Sequence, residues 1–382
     1  MKNICAGVIG VGFIGPAHVE AIRRLGVEVV ALSSSSEERA KAKAKEMKIP
    51  KAYGDYRKLI KDDDVDVVHI CSPNNLHYNM TKEALANDKH IICEKPLAMN
   101  SKETGELVNL SSKSSKVHAV CYNIRFYPLC LQAREMIKQG ELGEIYFVNG
   151  SYLQDWLFYD TDWNWRVTPE AGGDLRVVAD IGTHWMDLIY FTTGLKINRV
   201  NADIRTFIPV RKKPKVVMET FKGKELKPTE YVEYSIETED YASILLEFSN
   251  SGRGAFTVSQ VAAGRKNKLS FEIYGSKKAI AWSSETPNEL WVGYRDKANE
   301  IIIKDPSLLK GNAKEYTSYP GGHTEGYPDT FKQFFKCVYT AIVEGKNEQP
   351  LYPTFLDGHN EVLVCEAIKK SAQKGGWADT KT

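Results

Sequence analysis

Alternation between short apolar runs and helical segments in the first third of the chain is the feature that most restricts its fold. Runs rich in β-branched residues, typical of buried strands, cover 4–9, 27–32, 65–71, 90–93 and 117–121. Between them, apolar residues recur at helical spacing over 14–25, 37–48, 76–87 and 102–115. This rhythm predicts βαβ units and a parallel sheet with helices on both faces.

The rhythm changes after residue 122. Helical spacing returns over 126–139, 180–193, 328–344 and 355–373, and short predicted strands fill the chain from 197 to about 303. We therefore predict an α/β domain over 1–122 and an α+β domain with a large, mainly antiparallel open sheet over 123–382. The helix at 355–373 is expected either to stay in the second domain or to pack back on the first. A cleft between two domains is the usual place for a ligand.

Charge and cysteine content exclude several classes of protein. The 382 residues carry 51 basic and 49 acidic side chains, so no basic surface for nucleic acid is expected, and the cluster 211–213 is interpreted as a solvated loop. The apolar run 4–14 is too short and too glycine-broken to span a membrane. The seven cysteines include no CxxC pair, which predicts buried free thiols. Their odd number, together with the absence of a signal peptide, predicts a cytoplasmic protein.

A glycine-rich turn follows the first predicted strand and opens the first predicted helix. Gly10, Gly12 and Gly15, with Phe13 and Ile14 between them, form the pattern GxGxxG. Such glycines permit a tight turn, close approach of a pyrophosphate and close helix–strand packing, and the helix N-terminus attracts the phosphates. The turn predicts dinucleotide binding; a tight turn without a ligand is the alternative.

The end of the second predicted strand bears on the choice of cofactor. An acid there binds the ribose 2′-OH of NAD, whereas a nearby arginine accommodates the 2′-phosphate of NADP. This chain has four serines at 33–36 instead, and we expect Ser34 and Ser35 to contact the cofactor. NAD and NADP both remain open. Ser36 is also expected to cap the helix that follows.

Two further segments carry candidate catalytic residues. Lys95, in Glu94-Lys95-Pro96, follows the fourth predicted strand at the carboxyl edge of the sheet, where ligands bind in such folds; a plain loop lysine is the alternative. Asp180 and His184 are four residues apart, so they share one face of a helix. A helix-capping acid and a buried structural histidine are the alternative there. No third ligand stands at a recognisable spacing, so no metal site is expected.

At this point the chain resembles the Gfo/Idh/MocA family of glucose-fructose oxidoreductases and inositol dehydrogenases over almost its whole length. The resemblance rests on the glycine turn, the Cys71–His77 stretch, Glu94-Lys95-Pro96, Trp165-Arg166 and the motif from Asp180 to His184. It implies a Rossmann domain, a domain with an antiparallel sheet, and NAD(P) bound between them.

The resemblance also implies residue roles. The matching lysine and histidine act on the reacting hydroxyl and the matching aspartate assists. Histidine is a natural base near neutral pH, and a cationic lysine stabilises alkoxide charge. Besides the glycine turn and the serines, the expected cofactor contacts are Ser72, Pro73, Asn74, His77, Glu94, Lys95, Asn123, Trp165 and Arg166.

Aromatic residues interleaved with polar ones between 152 and 166 are typical of carbohydrate sites, although core packing explains part of them. Trp156, Arg125, His323 and Tyr327 are the candidate substrate contacts; Arg125 pairing with an interdomain acid and a plain loop around His323 are the alternatives.

The sequence therefore predicts a NAD(P)-dependent dehydrogenase acting on a sugar, cyclitol or glycoside. A redox-neutral, NAD-assisted glycosidase or lyase and a non-catalytic cofactor-binding regulator are the alternatives. A homodimer or homotetramer through the open face of the sheet is also expected.

Overall fold

The structure is a computed structural model that describes residues 4–215, 231–346 and 348–380. It divides into two compact units. Unit 1 comprises Met1–Asn123, Glu170–Gly173 and Pro328–Val362, and unit 2 comprises Ile124–Pro169, Asp174–Tyr327 and Leu363–Thr382. Part of the predicted strand-rich region, 216–230, lies outside the described residues.

Unit 1 contains a parallel sheet of six strands in the order β3-β2-β1-β4-β5-β6. The strands, numbered in chain order, are β1 Cys5–Ile9, β2 Glu28–Ser33, β3 Lys51–Tyr53, β4 Val67–Ile70, β5 His90–Cys93 and β6 His118–Val120. All of them except β3 coincide with predicted strands. The short β3 escaped prediction because three residues are too few to show a period.

The helices of unit 1 confirm the predicted alternation. They are α1 Ile14–Arg24, α2 Glu37–Met47, α3 Tyr56–Ile60, α4 Asn74–Ala86, α5 Ser101–Ser112, α7 Pro169–Gly172, most of α10 Tyr327–Glu344 and the first turns of α11 Phe355–Lys374. Ser36 caps α2 as predicted, because its side chain accepts the N–H of Arg39. The central strands β1, β4 and β5 are almost entirely buried, as both faces of a parallel sheet are covered.

Unit 2 is built on a mixed sheet of nine strands in the order β16-β15-β14-β13-β7-β12-β11-β8-β17. Its strands are β7 Ile145–Leu153, β8 Ile197–Arg205, β11 Tyr241–Phe248, β12 Arg253–Ser259, β13 Lys268–Gly275, β14 Ala279–Ser283, β15 Glu289–Gly293, β16 Glu300–Ile303 and β17 Ala378–Asp379. All neighbours are antiparallel except β7 and β12, which pair in parallel. The prediction of a large, mainly antiparallel sheet is confirmed.

The other elements of unit 2 are α6 Pro128–Lys138, α8 Thr183–Thr193, α9 Gly311–Glu315, the rest of α11, and a two-stranded ribbon of β9 Val210–Pro214 and β10 Tyr231–Ser235. Buried residues alternate along β11 and β13, so one face of the large sheet is covered and the other is partly open.

Trp185 anchors α8 to the covered face of this sheet. Its ring stacks on Phe256 at 4.4 Å, and its Nε1 donates to the carbonyl of Ser270 over 2.9 Å. A Cβ on Gly150 of β7 would lie 2.4 Å from that Nε1. Glycine at 150 therefore makes room for Trp185, and the close packing fixes α8, which carries His184.

The structure corrects the interpretation of 211–213 as a solvated loop. Arg211 lies in β9 and is completely buried. Its guanidinium donates to Asp240 Oδ1 over 3.0 Å and to the carbonyls of Leu157 and Tyr159 over 2.8 Å each. Charge clustering in sequence misled the prediction because Asp240, the partner that makes burial tolerable, is distant in the chain.

A second arginine of unit 2 joins the same carboxylate. Arg176 also contacts Asp240, and its backbone N–H donates to the carboxylate of Glu239, as does the N–H of Val178. Burial raises the pKa of Glu239, against the effect of these hydrogen bonds. The four buried charged groups, Arg176, Arg211, Glu239 and Asp240, therefore hold the chain that leads into Asp180.

None of the helices within the described residues is both long and apolar enough to cross a membrane.

Candidate active site

The glycine turn between β1 and α1 has one glycine that the fold itself does not require. Gly10 has a φ of +97°, and a Cβ on Gly15 would lie 2.1 Å from the carbonyl oxygen of Gly10, so both positions need glycine. A Cβ on Gly12 would meet no atom within 4 Å. Glycine at 12 therefore fits a ligand that approaches the backbone closely, as a pyrophosphate does.

The start of α1 is suited to an anion. The first turn of the helix holds no acidic residue, so the positive end of its dipole is not neutralised there. Phe13 is 54% exposed at the turn, Ile14 is half-buried and Gly12 is exposed. The turn and the helix start together form a cradle whose shape and field match a dinucleotide phosphate.

The end of β2 presents hydroxyls without a charge. Ser34 is half-buried, with its N–H donating to the carbonyl of Tyr53 over 3.1 Å, and Ser35 is exposed. The nearest acid, Glu37, accepts the N–H of Gly54 over 2.8 Å, and this hydrogen bond lowers the pKa of Glu37. Because that carboxylate is engaged beyond the strand end, nothing here selects between a ribose 2′-OH and a 2′-phosphate.

His77 links the Cys71–His77 stretch to the loop after β5. Its Nδ1 lies 2.7 Å from the carbonyl oxygen of Pro96 and its Nε2 lies 2.9 Å from that of Ser72. The ring is fully buried, and burial lowers the pKa of His77. The imidazole thus positions backbone on both sides, and direct contact of His77 with a cofactor stays a prediction.

The other candidate cofactor residues of unit 1 are also fixed by hydrogen bonds. Asn74 Nδ2 donates to the carbonyl of Gly172 over 3.0 Å, and Asn123 Nδ2 donates to Thr330 Oγ1 over 2.7 Å. Ser72 and Pro73 are half-buried before the start of α4. Lys95 is half-buried after β5, and the Lys95–Pro96 peptide is cis.

Glu94, next to Lys95, is a buried carboxylate paired with His18. Its Oε1 lies 3.0 Å from His18 Nε2. Burial by itself would raise the pKa of Glu94, but the hydrogen bond and charge of His18, with Lys95 and Cys121, lower it to about 2. Glu94 is therefore ionised at neutral pH.

Three potential metal-ligand atoms, on His18, Glu94 and Cys121, lie within 4.8 Å of one another, a grouping that sequence spacing did not indicate. Cys121 Sγ lies 3.9 Å from His18 Nε2. His18 Nε2 is already directed at Glu94. The chemistry of the group is that of a hydrogen-bonded network.

Unit 2 brings Arg166, Asp180 and Gln260 together. Asp180 Oδ1 accepts from Arg166 Nε over 3.1 Å, and Oδ2 accepts from Gln260 Nε2 over 2.8 Å. The Arg166 guanidinium lies 4.3 Å above the ring of Trp165. The two donors fix the orientation of the Asp180 carboxylate.

His184 lies on the first turn of α8 and is 8% exposed. Its ring centroid lies 6.2 Å from that of Tyr152 on β7. Burial is the largest cause that raises the pKa of Tyr152, so this phenol stays neutral. The imidazole is accordingly held in a largely desolvated place, where a histidine can exchange a proton with a bound hydroxyl.

The predicted α-helix from 180 was wrong in its first turn. Val178–Gly182 forms a π-helical turn, and the α-helix begins at Thr183. Asp180 is therefore not the first-turn acid of an α-helix. π-helical turns are frequent at functional sites. A segment of five residues is too short for its apolar spacing to distinguish a π-helical turn from an α-helical one.

The candidate substrate residues have varied surroundings. Arg125 is buried and binds both oxygens of Asp187 of α8, an acid of the same unit rather than an interdomain one. Trp156 packs in an apolar cluster and donates to Gln154 Oε1 over 2.8 Å. His323 is exposed and Tyr327 is half-buried. Substrate contact by any of these stays a prediction.

Sequence reasoning missed Gln260, His18 and His69. His18 lies on the apolar face of α1 that Ile14 and Ile22 share, and His69 interrupts the apolar strand β4. A polar residue on an apolar face is a usable signal, since such groups are buried only with partners. Gln260 follows β12 and offered no comparable pattern.

Comparison with known proteins matches both parts of the chain to one family. Residues 4–122 match the model described as an oxidoreductase family with a NAD-binding Rossmann fold, and residues 130–281 match the GFO/IDH/MocA C-terminal domain. Levoglucosan dehydrogenase of Pseudarthrobacter phenanthrenivorans is 30% identical, with 99% of this chain and 98% of that protein aligned.

Two solved structures are also similar. The complex of levoglucosan dehydrogenase with NADH and L-sorbose has a TM-score of 0.89 at 28% identity and full coverage of both chains. An inositol dehydrogenase homologue from Azotobacter vinelandii in complex with NAD+ has a TM-score of 0.85 at 25% identity, covering 99% of this chain and 97% of that one.

Replacing Gly12 with alanine tests the phosphate cradle. Because the added methyl group meets no protein atom, we expect Gly12→Ala to fold with an unchanged melting temperature. We expect its affinity for NADH, measured by nicotinamide fluorescence, to fall by about tenfold or more, since the methyl group occupies space the pyrophosphate needs. Gly376→Ala, which also meets no atom within 4 Å, is the control. Wild-type NADH affinity in Gly12→Ala contradicts the assignment.

Proposed function

The chain belongs to the GFO/IDH/MocA family of NAD-binding oxidoreductases, and from that premise we propose that it transfers a hydride between nicotinamide and a secondary hydroxyl or ketone of a sugar, cyclitol or glycoside. The observation that carries this proposal is the similarity to levoglucosan dehydrogenase over 99% of the chain. The L-sorbose in a related complex supports a polyhydroxylated substrate.

We propose that residues 1–122 bind the cofactor and that residues 123–382 supply the substrate side. The cradle at Gly12 supports phosphate binding there. The other proposed cofactor contacts in this part are Gly10, Phe13, Ile14, Gly15, Ser34, Ser35, Ser72, Pro73, Asn74, His77, Glu94 and Lys95. Three more, Asn123, Trp165 and Arg166, come from the second part of the chain. The uncharged end of β2 supports the use of NAD or NADP.

We propose that Lys95, Asp180 and His184 act on the reacting hydroxyl. A nicotinamide cofactor bound by the residues named above would supply the acceptor for the hydride of the carbon. His184 takes the hydroxyl proton, and the ammonium of Lys95 stabilises the alkoxide that develops. Asp180, oriented by Arg166 and Gln260, assists the proton transfer.

The open face of the nine-stranded sheet supports a homodimer or homotetramer. Phe147, Leu245 and Ile301 lie on that face and are 46%, 49% and 59% exposed. Covering them removes apolar surface from water, which favours association. Light scattering tests this: we expect a mass of at least twice the 43.0 kDa of one chain, and a monomer at micromolar concentration contradicts it.

A cytoplasmic location is proposed as well. Its support is the set of seven free cysteines, six of them buried, which suits a reducing compartment. Cell fractionation tests this location, and recovery of the protein outside the cytoplasm contradicts it.

A parallel screen of sugars tests the activity. Levoglucosan, L-sorbose, inositol and glucose are offered with NAD and with NADP, and the absorbance of the reduced nicotinamide is followed. We expect at least one sugar to reduce the cofactor. Lys95→Ala and His184→Asn should lower kcat by about a hundredfold or more, because each removes a group that acts on the hydroxyl. His184→Asn should bind NADH normally, since His184 is not a proposed cofactor contact.

Lys102→Ala is the matched control, because Lys102 is an exposed lysine on the next helix. It should behave as the wild type does. Near-normal turnover in Lys95→Ala or His184→Asn excludes the assigned roles. Conversion of a glycoside without net reduction of the cofactor excludes a dehydrogenase and supports the redox-neutral reaction instead.

A further inference from the structure

A buried chain of hydrogen bonds in unit 1 leads from the inside of the domain to Glu94. Tyr339 Oη lies 2.9 Å from His69 Nε2, His69 Nδ1 lies 3.0 Å from His18 Nδ1, and His18 Nε2 lies 3.0 Å from Glu94 Oε1. His18, His69 and Tyr339 are completely buried. None of the three belongs to the motifs that the proposed function uses.

Both nitrogens of His18 are engaged, so its ring has one orientation. Because Glu94 is ionised and only accepts, His18 Nε2 carries a hydrogen. The two facing Nδ1 atoms share one hydrogen, whichever ring supplies it. Burial, with repulsion from His18, lowers the pKa of His69 well below its ordinary value, so His69 is neutral. Phe335 packs edge-on against both imidazoles with ring centroids 4.8 Å away.

The chain of hydrogen bonds ends at Glu94, beside the proposed catalytic residue Lys95. Glu94 Oε2 lies 3.3 Å from the backbone nitrogen of Lys95, so the carboxylate accepts that N–H while its other oxygen faces His18. Because the Glu94 carboxylate accepts a hydrogen bond at each oxygen, it cannot rotate without breaking one of them. His18 therefore restrains Glu94, and Glu94 restrains the backbone of Lys95.

We propose that His18, held in place by His69 and Tyr339, is a positioning residue for the reaction: its Nε2–H keeps the Glu94 carboxylate oriented, and Glu94 in turn fixes the backbone of Lys95. The inference rests on the proposed role of Lys95. It predicts that loss of His18 harms turnover through Glu94, and most strongly at low pH.

A change of pH dependence has to be assigned among the groups near Glu94. The titratable groups that act on it or are acted on by it are His18 of α1, His77 of α4, Cys71 after β4, Cys93 of β5, Cys121 after β6, and Lys95. Burial raises the pKa of each of the three thiols, so they stay protonated across the range tested. Burial lowers the pKa of His77, whose ring nitrogens lie 2.7 Å from the Pro96 carbonyl oxygen and 2.9 Å from that of Ser72, so the infrared signal of the Glu94 carboxylate is used to separate its titration from that of His77.

The test compares His18→Leu, which removes the donor, with His18→Gln, which keeps an N–H donor. Turnover of the sugar and cofactor that react fastest in the screen is measured as a function of pH. NADH affinity is measured by fluorescence, and the Glu94 carboxylate by infrared difference spectra against Glu94→Gln. For His18→Leu we expect kcat to fall about ten- to hundredfold, the effect of losing a hydrogen bond to a charged group. The acid limb of the profile of kcat against pH should move to higher pH by about one unit or more, because loss of the donor raises the pKa of Glu94.

His18→Gln should recover most of the rate and the wild-type pH profile. The double variant His18→Leu with Glu94→Gln should be no slower than Glu94→Gln alone, because both changes act through one carboxylate. His118→Gln is the control, since His118 is a buried histidine of the same sheet outside this chain of hydrogen bonds.

Two results overturn the proposal. The first is an unchanged pH profile in His18→Leu, including an equal loss of rate at every pH, which indicates a merely structural role. The second is a Glu94 carboxylate that titrates in His18→Leu as in the wild type. If His18→Leu does not fold, His18→Gln decides. A Glu94 carboxylate that titrates as in the wild type agrees with the proposal, because the N–H donor is kept, and a shifted titration contradicts it. The infrared measurement needs no turnover. Normal activity in Lys95→Ala would therefore refute the proposed role of Lys95, whereas the infrared test of the contact between His18 and Glu94 would still stand.

Discussion

The parallel pairing of β1 with β2 and with β4 is the constraint on which the cofactor side of this protein depends. Each strand of the six-stranded sheet runs in the same direction, so all of their carboxyl ends meet one edge. Segments far apart in sequence, such as the turn at Gly12, Ser34 and Lys95, each follow a strand at that edge. The ends of β1 and β4 are closely packed at this edge, since a Cβ on Gly10 would lie 2.5 Å from the carbonyl oxygen of Cys71.

Buried charge is the second organising feature, and each unit solves it with paired groups. In unit 1 the carboxylate of Glu94 is stabilised by His18. In unit 2 the acids Glu239 and Asp240 hold two arginines and the backbone that leads into the π-helical turn of Asp180. Groups of this kind are costly to bury alone and effective at specifying one geometry when every member has a partner.

What could be predicted followed from period and local chemistry. Strand–helix alternation gave the sheet of unit 1, the GxGxxG turn gave the start of α1, and Lys95 was marked by its place after a strand. What could not be predicted depends on long-range pairing. Arg211 looked solvated because Asp240 is distant in sequence, and the π-helical turn has no period of its own in so short a segment. The roles of Lys95, Asp180 and His184 remain predictions.

Transfer of deuterium from substrate to cofactor tests the central claim most directly. The sugar turned over fastest is supplied with deuterium on its carbons, and the nicotinamide is analysed by mass spectrometry after a single turnover. We expect the reduced cofactor to gain one deuterium while the sugar loses it and becomes a ketone. Reduced cofactor without deuterium, or a converted sugar that has kept all of its carbon-bound deuterium, would contradict it.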